Sequence, residues 1–232
     1  MRELAFACLI KSLLRNMANF EFDSNSDSEW DDSWDTIWNE RDWELYLKTE
    51  RDEVRKYQKL YTKFVANTNR LDEVALYMGW DVQGESSGQE ASEPIPDQPY
   101  TLHKHPLYIA SKALHDWLTE KWSQHVSLSG DLLPATTALR VQNAIAHSDQ
   151  YGLLAVTALD LGDYMLAIAY FKRGLVELNQ LLALITELES LNVTPLDLYA
   201  KHAKIRIFDI REIWLRVTGD CRAAVAKRFE DE

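Results

Sequence analysis

Arg140, Asn143 and His147 are the residues of this 232-residue chain whose types and spacing come nearest to chemistry. Seven positions separate Arg140 from His147, which on a helix places them within about 20° of each other, with Asn143 on the adjoining strip. Such a face is polar, and its imidazole is suited to proton transfer near neutral pH. Other chemistries find less support. No Glu-x-x-His spacing occurs, as a two-iron helical bundle would need. His103 and His105 sit two apart before Pro106, with His115 some turns later, a surface pattern to which no metal is assigned. The eight glycines are scattered and form no phosphate-cradling loop, so no cofactor is expected.

The run Arg140-Val-Gln-Asn143-Ala-Ile-Ala-His147 resembles the Arg-x(4 to 6)-His motif of HEPN-domain ribonucleases, all-helical proteins that usually work as dimers. The resemblance implies metal-independent cleavage of RNA, or modification of a nucleotide. Arg140 would hold the phosphate, His147 would move the proton, and Asn143 would support both.

A second set of residues follows it: Tyr151, Leu154, Ala155, the turn Leu161-Gly162-Asp163-Tyr164, then Ala167, Phe171, Gly174 and Leu175. It resembles a single tetratricopeptide repeat, a helical hairpin whose helices cross through small residues. The span from Tyr151 to Asn179 is about one repeat, and no second copy precedes or follows it. Arrays need about three units for a continuous core, so the resemblance implies one hairpin with a groove, not a solenoid. Gly162 suits a left-handed C-terminal cap and Asp163 the next N-cap, which a hairpin in an ordinary bundle would also want.

Charge and aromatic residues converge elsewhere. From Glu21 to Glu44, Trp30, Trp34, Trp38 and Trp43 run through ten acidic residues and one base, Arg41. That segment carries -9, leaving -3 of the total of -12 for the rest of the chain. The spacing predicts an amphipathic helix, with Trp30, Trp34, Ile37, Trp38 and Leu45 on one face and Asp31, Asp32, Asp35 and Asp42 on another. The indoles of the first face are expected in the core. Trp43 projects near the acidic side and is the candidate for outside contact, together with those four aspartates. A negative field there would attract a basic partner and repel nucleic acid and anionic lipid. RNA binding leans on phosphate neutralisation, and the acidic chain offers it no basic track.

The elements that position these residues are helical throughout. Apolar residues recur at helical spacing, an apolar fraction of 46% is ordinary for a folded chain, and no run of alternating β-branched residues suggests a sheet. One stripe runs from Leu4 to Met17. A second helix is expected to continue through Val54, Tyr57, Tyr61 and Phe64, and a short one covers Leu71 to Met78, ended by Gly79. Residues 79–99 read as a linker or loop. Pro106 and Pro134 suit helix first turns, and Thr194, Pro195 and Asp197 form a third start signal. Tyr164 to Leu191, apolar on more than one side, is expected at the centre of the bundle, and Gly219-Asp220 is expected to break the last helix. Cys8 and Cys221 carry no metal-type spacing, and no run of about 18 apolar residues occurs, which makes the cytoplasm the expected location.

The expectation is an all-α bundle of six or seven helices, in an N-terminal section over 1–78 and a main bundle over 100–232. Its function is expected to be protein interaction or scaffolding through the acidic Trp segment or the hairpin groove. The HEPN-like enzyme stands as the alternative.

Overall fold

The computed structural model describes residues 39–80, 102–129, 132–191 and 193–230. These form an all-α structure of six helices and one 3-10 turn, with no strand among the described residues. The expectations for the Leu4 stripe, for Trp30, Trp34 and Trp38, for Asp31, Asp32 and Asp35, and for the connection beyond Trp80 lie outside the described residues.

Helix α1 (Glu40–Phe64) begins at a reciprocal cap. Asn39 Oδ1 accepts the Asp42 N–H at 3.1 Å, and the Asn39 N–H donates to Asp42 Oδ2 at 3.1 Å. Two amide donors that the helix leaves without carbonyl partners are satisfied in this way. The extended backbone at Asn39 (φ -84, ψ 171) also means that no single helix runs from Trp30 through Leu45, as the Trp spacing predicted. Tyr46, Val54, Tyr57, Tyr61 and Phe64 set the buried side of α1. Leu45, expected on the core stripe, is about 100° away from Tyr46 and is 65% exposed. Helix α2 (Arg70–Met78) ends at Gly79, whose φ of 78 is the left-handed cap expected there.

Four longer helices follow: α3 (Pro106–Ser129), α4 (Ala135–Asp160), α5 (Tyr164–Glu189) and α6 (Thr194–Glu230). Pro106 opens α3 as expected, whereas Pro134 is the residue just outside α4, at φ -57 and ψ 130. Short connections make successive helices antiparallel neighbours. Helix α3 packs on α4, α4 on α5, α5 on α6, and α6 back on α3, which closes a four-helix ring. Helix α1 packs on α3 from outside the ring, and α2 packs on α1. The central position expected for Tyr164 to Leu191 is therefore not observed: α5 forms one wall, while α3 is covered on its remaining side by α1. Buried residues of α1 and α2 belong to the same apolar cluster as those of the ring.

The last helix corrects a second expectation. It runs unbroken through Gly219 and Asp220. Val217, Thr218 and Cys221 are buried on either side of the glycine, and Thr218 Oγ1 donates to the Trp214 carbonyl at 2.7 Å. An interior glycine costs a helix about 1 kcal/mol, whereas one buried aliphatic side chain contributes roughly 1.5 to 3 kcal/mol. Packing outweighs the breaker. No helix among the described residues is long and apolar enough to cross a membrane.

Candidate functional site

Two grooves and two buried networks hold the residues with chemical potential. The first groove lies between α1 and α3 and encloses about 530 Å³. Helix α1 lines it with Leu47, Glu50, Arg51, Val54, Arg55 and Gln58, and α3 with Lys112, Asp116, Thr119 and Glu120. Gln58 Nε2 donates to the Ala113 carbonyl at 3.0 Å, and the Tyr108 hydroxyl donates to Glu50 Oε1 at 2.7 Å, so the walls are tied together. Three acids and three bases balance along this groove.

The acidity concentrates at one end. Trp43 is one turn before Leu47 on the same face of α1, and both side chains are 46% exposed. Glu40, Asp42 and Glu44 share the exposed first turns with Trp43, with Arg41 the single base among them. The indole stands edge-on to Tyr46, with centroids 5.9 Å apart at 89°. Tyr46 in turn is buried and its hydroxyl lies 3.1 Å from His103 Nδ1. Thus Trp43 is exposed on a rigid support, as expected, while Asp42 spends one carboxylate oxygen on the helix cap.

The second groove, of about 400 Å³, runs along the outer side of the α4–α5 hairpin. Arg140, Asn143 and His147 line it together, as their spacing predicted, and all three are exposed. Helix α5 places one carboxylate near Arg140 and another near His147. Glu187 Oε2 lies 3.7 Å from Arg140 Nη1, and Glu177 Oε2 lies 3.9 Å from His147 Nδ1. Coulomb attraction across the exposed Arg140–Glu187 pair is modest at such a distance, but it competes with a phosphate for Arg140.

The hairpin itself closes as its turn residues require. Gly162 has φ 75, and Asp163 Oδ1 accepts the Leu166 N–H at 2.9 Å. Its helices are 26 residues each, longer than the stretch that the repeat resemblance covers. The smallness of Gly174 serves the helix crossing expected of it, where an added Cβ would stand 3.4 Å from Tyr151 Cβ on α4, and a second contact as well. Gly152 and Gly174 both face the indole of Trp214 on α6, which fills the space where their side chains would stand.

Trp214 is the centre of the first buried network, which the sequence did not disclose. Its Nε1–H donates to Ser111 Oγ at 3.1 Å, and its ring stacks on His115 at 5.8 Å. His115 Nδ1 lies 2.8 Å from the Ser111 carbonyl, which only accepts, so Nδ1 carries the proton; Nε2 lies 3.0 Å from Ser148 Oγ, whose hydroxyl is also 2.9 Å from the Ile145 carbonyl. Burial lowers the His115 pKa, against the opposing charge of Asp149, and keeps the ring neutral. Serine, histidine and a carboxylate thus meet, with Ser148 and His115 both buried and Ser111 and Asp149 on the wall of a further cavity of about 490 Å³. The arrangement is a core scaffold.

The second network joins α2 to α6. Asp209 accepts from Arg70 Nε at 2.6 Å and Arg70 Nη2 at 2.5 Å, and from the Tyr61 hydroxyl. Arg206, buried beside it, lies flat over Trp117 with its guanidinium carbon 3.5 Å from the ring centroid. Burial brings its pKa down to about 10. Among the described residues no three His, Cys, Asp or Glu side chains converge as a metal site would require. His103 contacts Tyr46, whereas His105 accepts the Leu107 N–H at the start of α3 and His115 is buried in the core.

Comparison with protein-family models, curated proteins and solved structures found no match.

Proposed function

We propose that this chain is a non-enzymatic interaction domain that holds a basic segment of a partner protein at the Trp43 end of the α1–α3 groove. The observation that carries this reading is Trp43 itself: a large aromatic ring, half exposed, on the first turns of α1 that also carry exposed Glu40, Asp42 and Glu44, and one turn before Leu47 in the wall of the groove. Tryptophan is enriched among residues that dominate binding energy, and nearby carboxylates would steer a cationic partner and select against an acidic one. Support also comes from rigidity, since the capped start of α1 and the edge contact with Tyr46 fix the ring before binding. The test is selection of peptides from a random display library on the full chain. Binders enriched in Lys and Arg beside one apolar anchor, and lost with Trp43→Ala, support the reading. Binders without that enrichment, or indifferent to the substitution, contradict it.

One observation favours the HEPN-like alternative, namely that Arg140, Asn143 and His147 share a groove. Glu187 weighs against it, because an RNA phosphate would have to displace it from Arg140. Metal-free incubation with a mixed RNA pool distinguishes the two: scission abolished by His147→Ala establishes the enzyme, and intact RNA removes it.

A further inference from the structure

The outer face of α6 carries a pattern that the core does not use. Leu198, Lys201, Ile205, Phe208, Glu212 and Leu215 recur at alternating steps of three and four. That is the seven-residue period of a helix packed along its length against another helix. The buried side of α6 is formed by residues such as Ala203, Ile210 and Val217 and points the other way. Leu198, Phe208 and Leu215 are 55%, 54% and 49% exposed, and Ile205 is half-buried.

This row matches its own reverse. Set antiparallel to a second copy, with the two-fold axis level with the Arg206–Ile207 peptide, it places Leu198 opposite Leu215, Lys201 opposite Glu212, and Ile205 opposite Phe208. Each pair occurs twice by symmetry. Apolar side chains meet apolar ones, both charges meet their opposites, and the alternation of layers is that of an antiparallel coiled coil. A face selected for an unrelated partner has no need of this symmetry. The flanking cations are already held within the chain, Lys204 by Glu189 at 2.6 Å and Arg211 by Asn179, so they do not have to find partners across the axis.

We propose that this face is an isologous homodimer interface, formed by two α6 helices in that register. It is separate from the Trp43 surface and does not depend on the function assigned there. From Leu198 to Leu215 the row is about 26 Å long at 1.5 Å per residue. One helix pair of that length stays below the standard interface of about 800 Å² per partner, so the dimer is expected to be weak and concentration-dependent.

Sedimentation equilibrium of the full chain over a series of concentrations tests the proposal. The wild type is expected to move from 26.8 kDa to twice that mass as concentration rises. Lys201→Glu and Glu212→Lys, both at exposed positions, each bring like charges together twice and should weaken the dimer at least about tenfold with unchanged circular dichroism. The combined K201E/E212K chain restores opposite pairing and should dimerise like the wild type. Because Glu212 also bonds Arg216 at 2.7 Å, this exchange, and not either single variant, is decisive. A wild type that remains monomeric overturns the proposal, whether another segment or another protein covers the face. Failure of the double exchange to restore a dimer lost in the single variants overturns it too.

Discussion

Gly174 makes room for Trp214: a Cβ at that glycine would stand 2.6 Å from Cζ3 of the indole. The ring has no freedom to retreat, because Ser111 holds its Nε1–H, His115 stacks on it, and Gly152 leaves the matching space on the neighbouring helix. Three helices of the ring are thereby locked on one side chain from the fourth.

Gly174→Ala is expected to lower stability although alanine is the better helix former. The propensity gain is about 1 kcal/mol, against an overpacking cost of typically 1 to 3 kcal/mol for a contact with nowhere to go. A net loss of roughly 1 kcal/mol or more should appear in urea melts. Gly219→Ala, also inside a helix but with nothing within 4 Å of its added Cβ, should instead gain about 0.5 to 1 kcal/mol. If both variants move stability in the same direction, the contact with Trp214 is not what fixes Gly174.

Asp209→Asn is expected to loosen the hold of α6 on α1 and α2. The carboxylate takes both guanidinium bonds from Arg70 and the Tyr61 hydroxyl, and it is buried. Removing its charge takes from Arg70 its carboxylate partner and from nearby Arg206 an attractive charge, at a cost of about 3 kcal/mol. Denaturant melts measure the loss, and faster amide exchange in α2 than in α4 locates it. A variant as stable as the wild type contradicts this account of the network.

Acid is expected to destabilise the fold through His105. Burial depresses its pKa from the ordinary 6.5 to about 4, with Asp160 opposing, and its Nδ1 accepts the Leu107 N–H at 3.2 Å. The unfolded chain therefore binds a proton at a higher pH than the folded one does. The contribution is fully present above about pH 6.5 and is lost as pH falls through about 4, up to roughly 3 kcal/mol in all. Burial lowers His115 as well, so it acts in the same direction. His105→Asn keeps an acceptor for the helix start without a titrating ring, and should flatten the fall of Tm across that window. An unchanged slope would assign the acid sensitivity to other groups.

Local signals were the legible part of this chain. Pro106, Gly79, Gly162 and Asp163 bound helices as their backbone chemistry dictates, since each acts within one turn. Arg140, Asn143 and His147 share a groove because the seven-residue step is a property of the helix alone. Glu177 and Glu187 were not legible, because their place opposite those residues depends on the register of the hairpin. Likewise Trp214 reaches Ser111 across 103 positions and Arg70 reaches Asp209 across 139, distances over which no periodicity speaks. The predicted break at Gly219 failed for a related reason: the breaker is local, whereas the burial of Val217 and Cys221 that overrides it is set by the ring.

The exposed indole of Trp43 tests the functional account most directly. A basic peptide selected on the full chain is titrated against the wild type and Trp43→Ala, at low and at high salt. The substitution also removes the edge contact with Tyr46, so its fold is checked by circular dichroism, and binding should weaken at least tenfold while the chain stays helical. Salt should weaken the wild-type complex further, as charge steering requires. Equal affinity of the two proteins, or affinity unmoved by salt, would contradict the assignment of this surface to a basic partner.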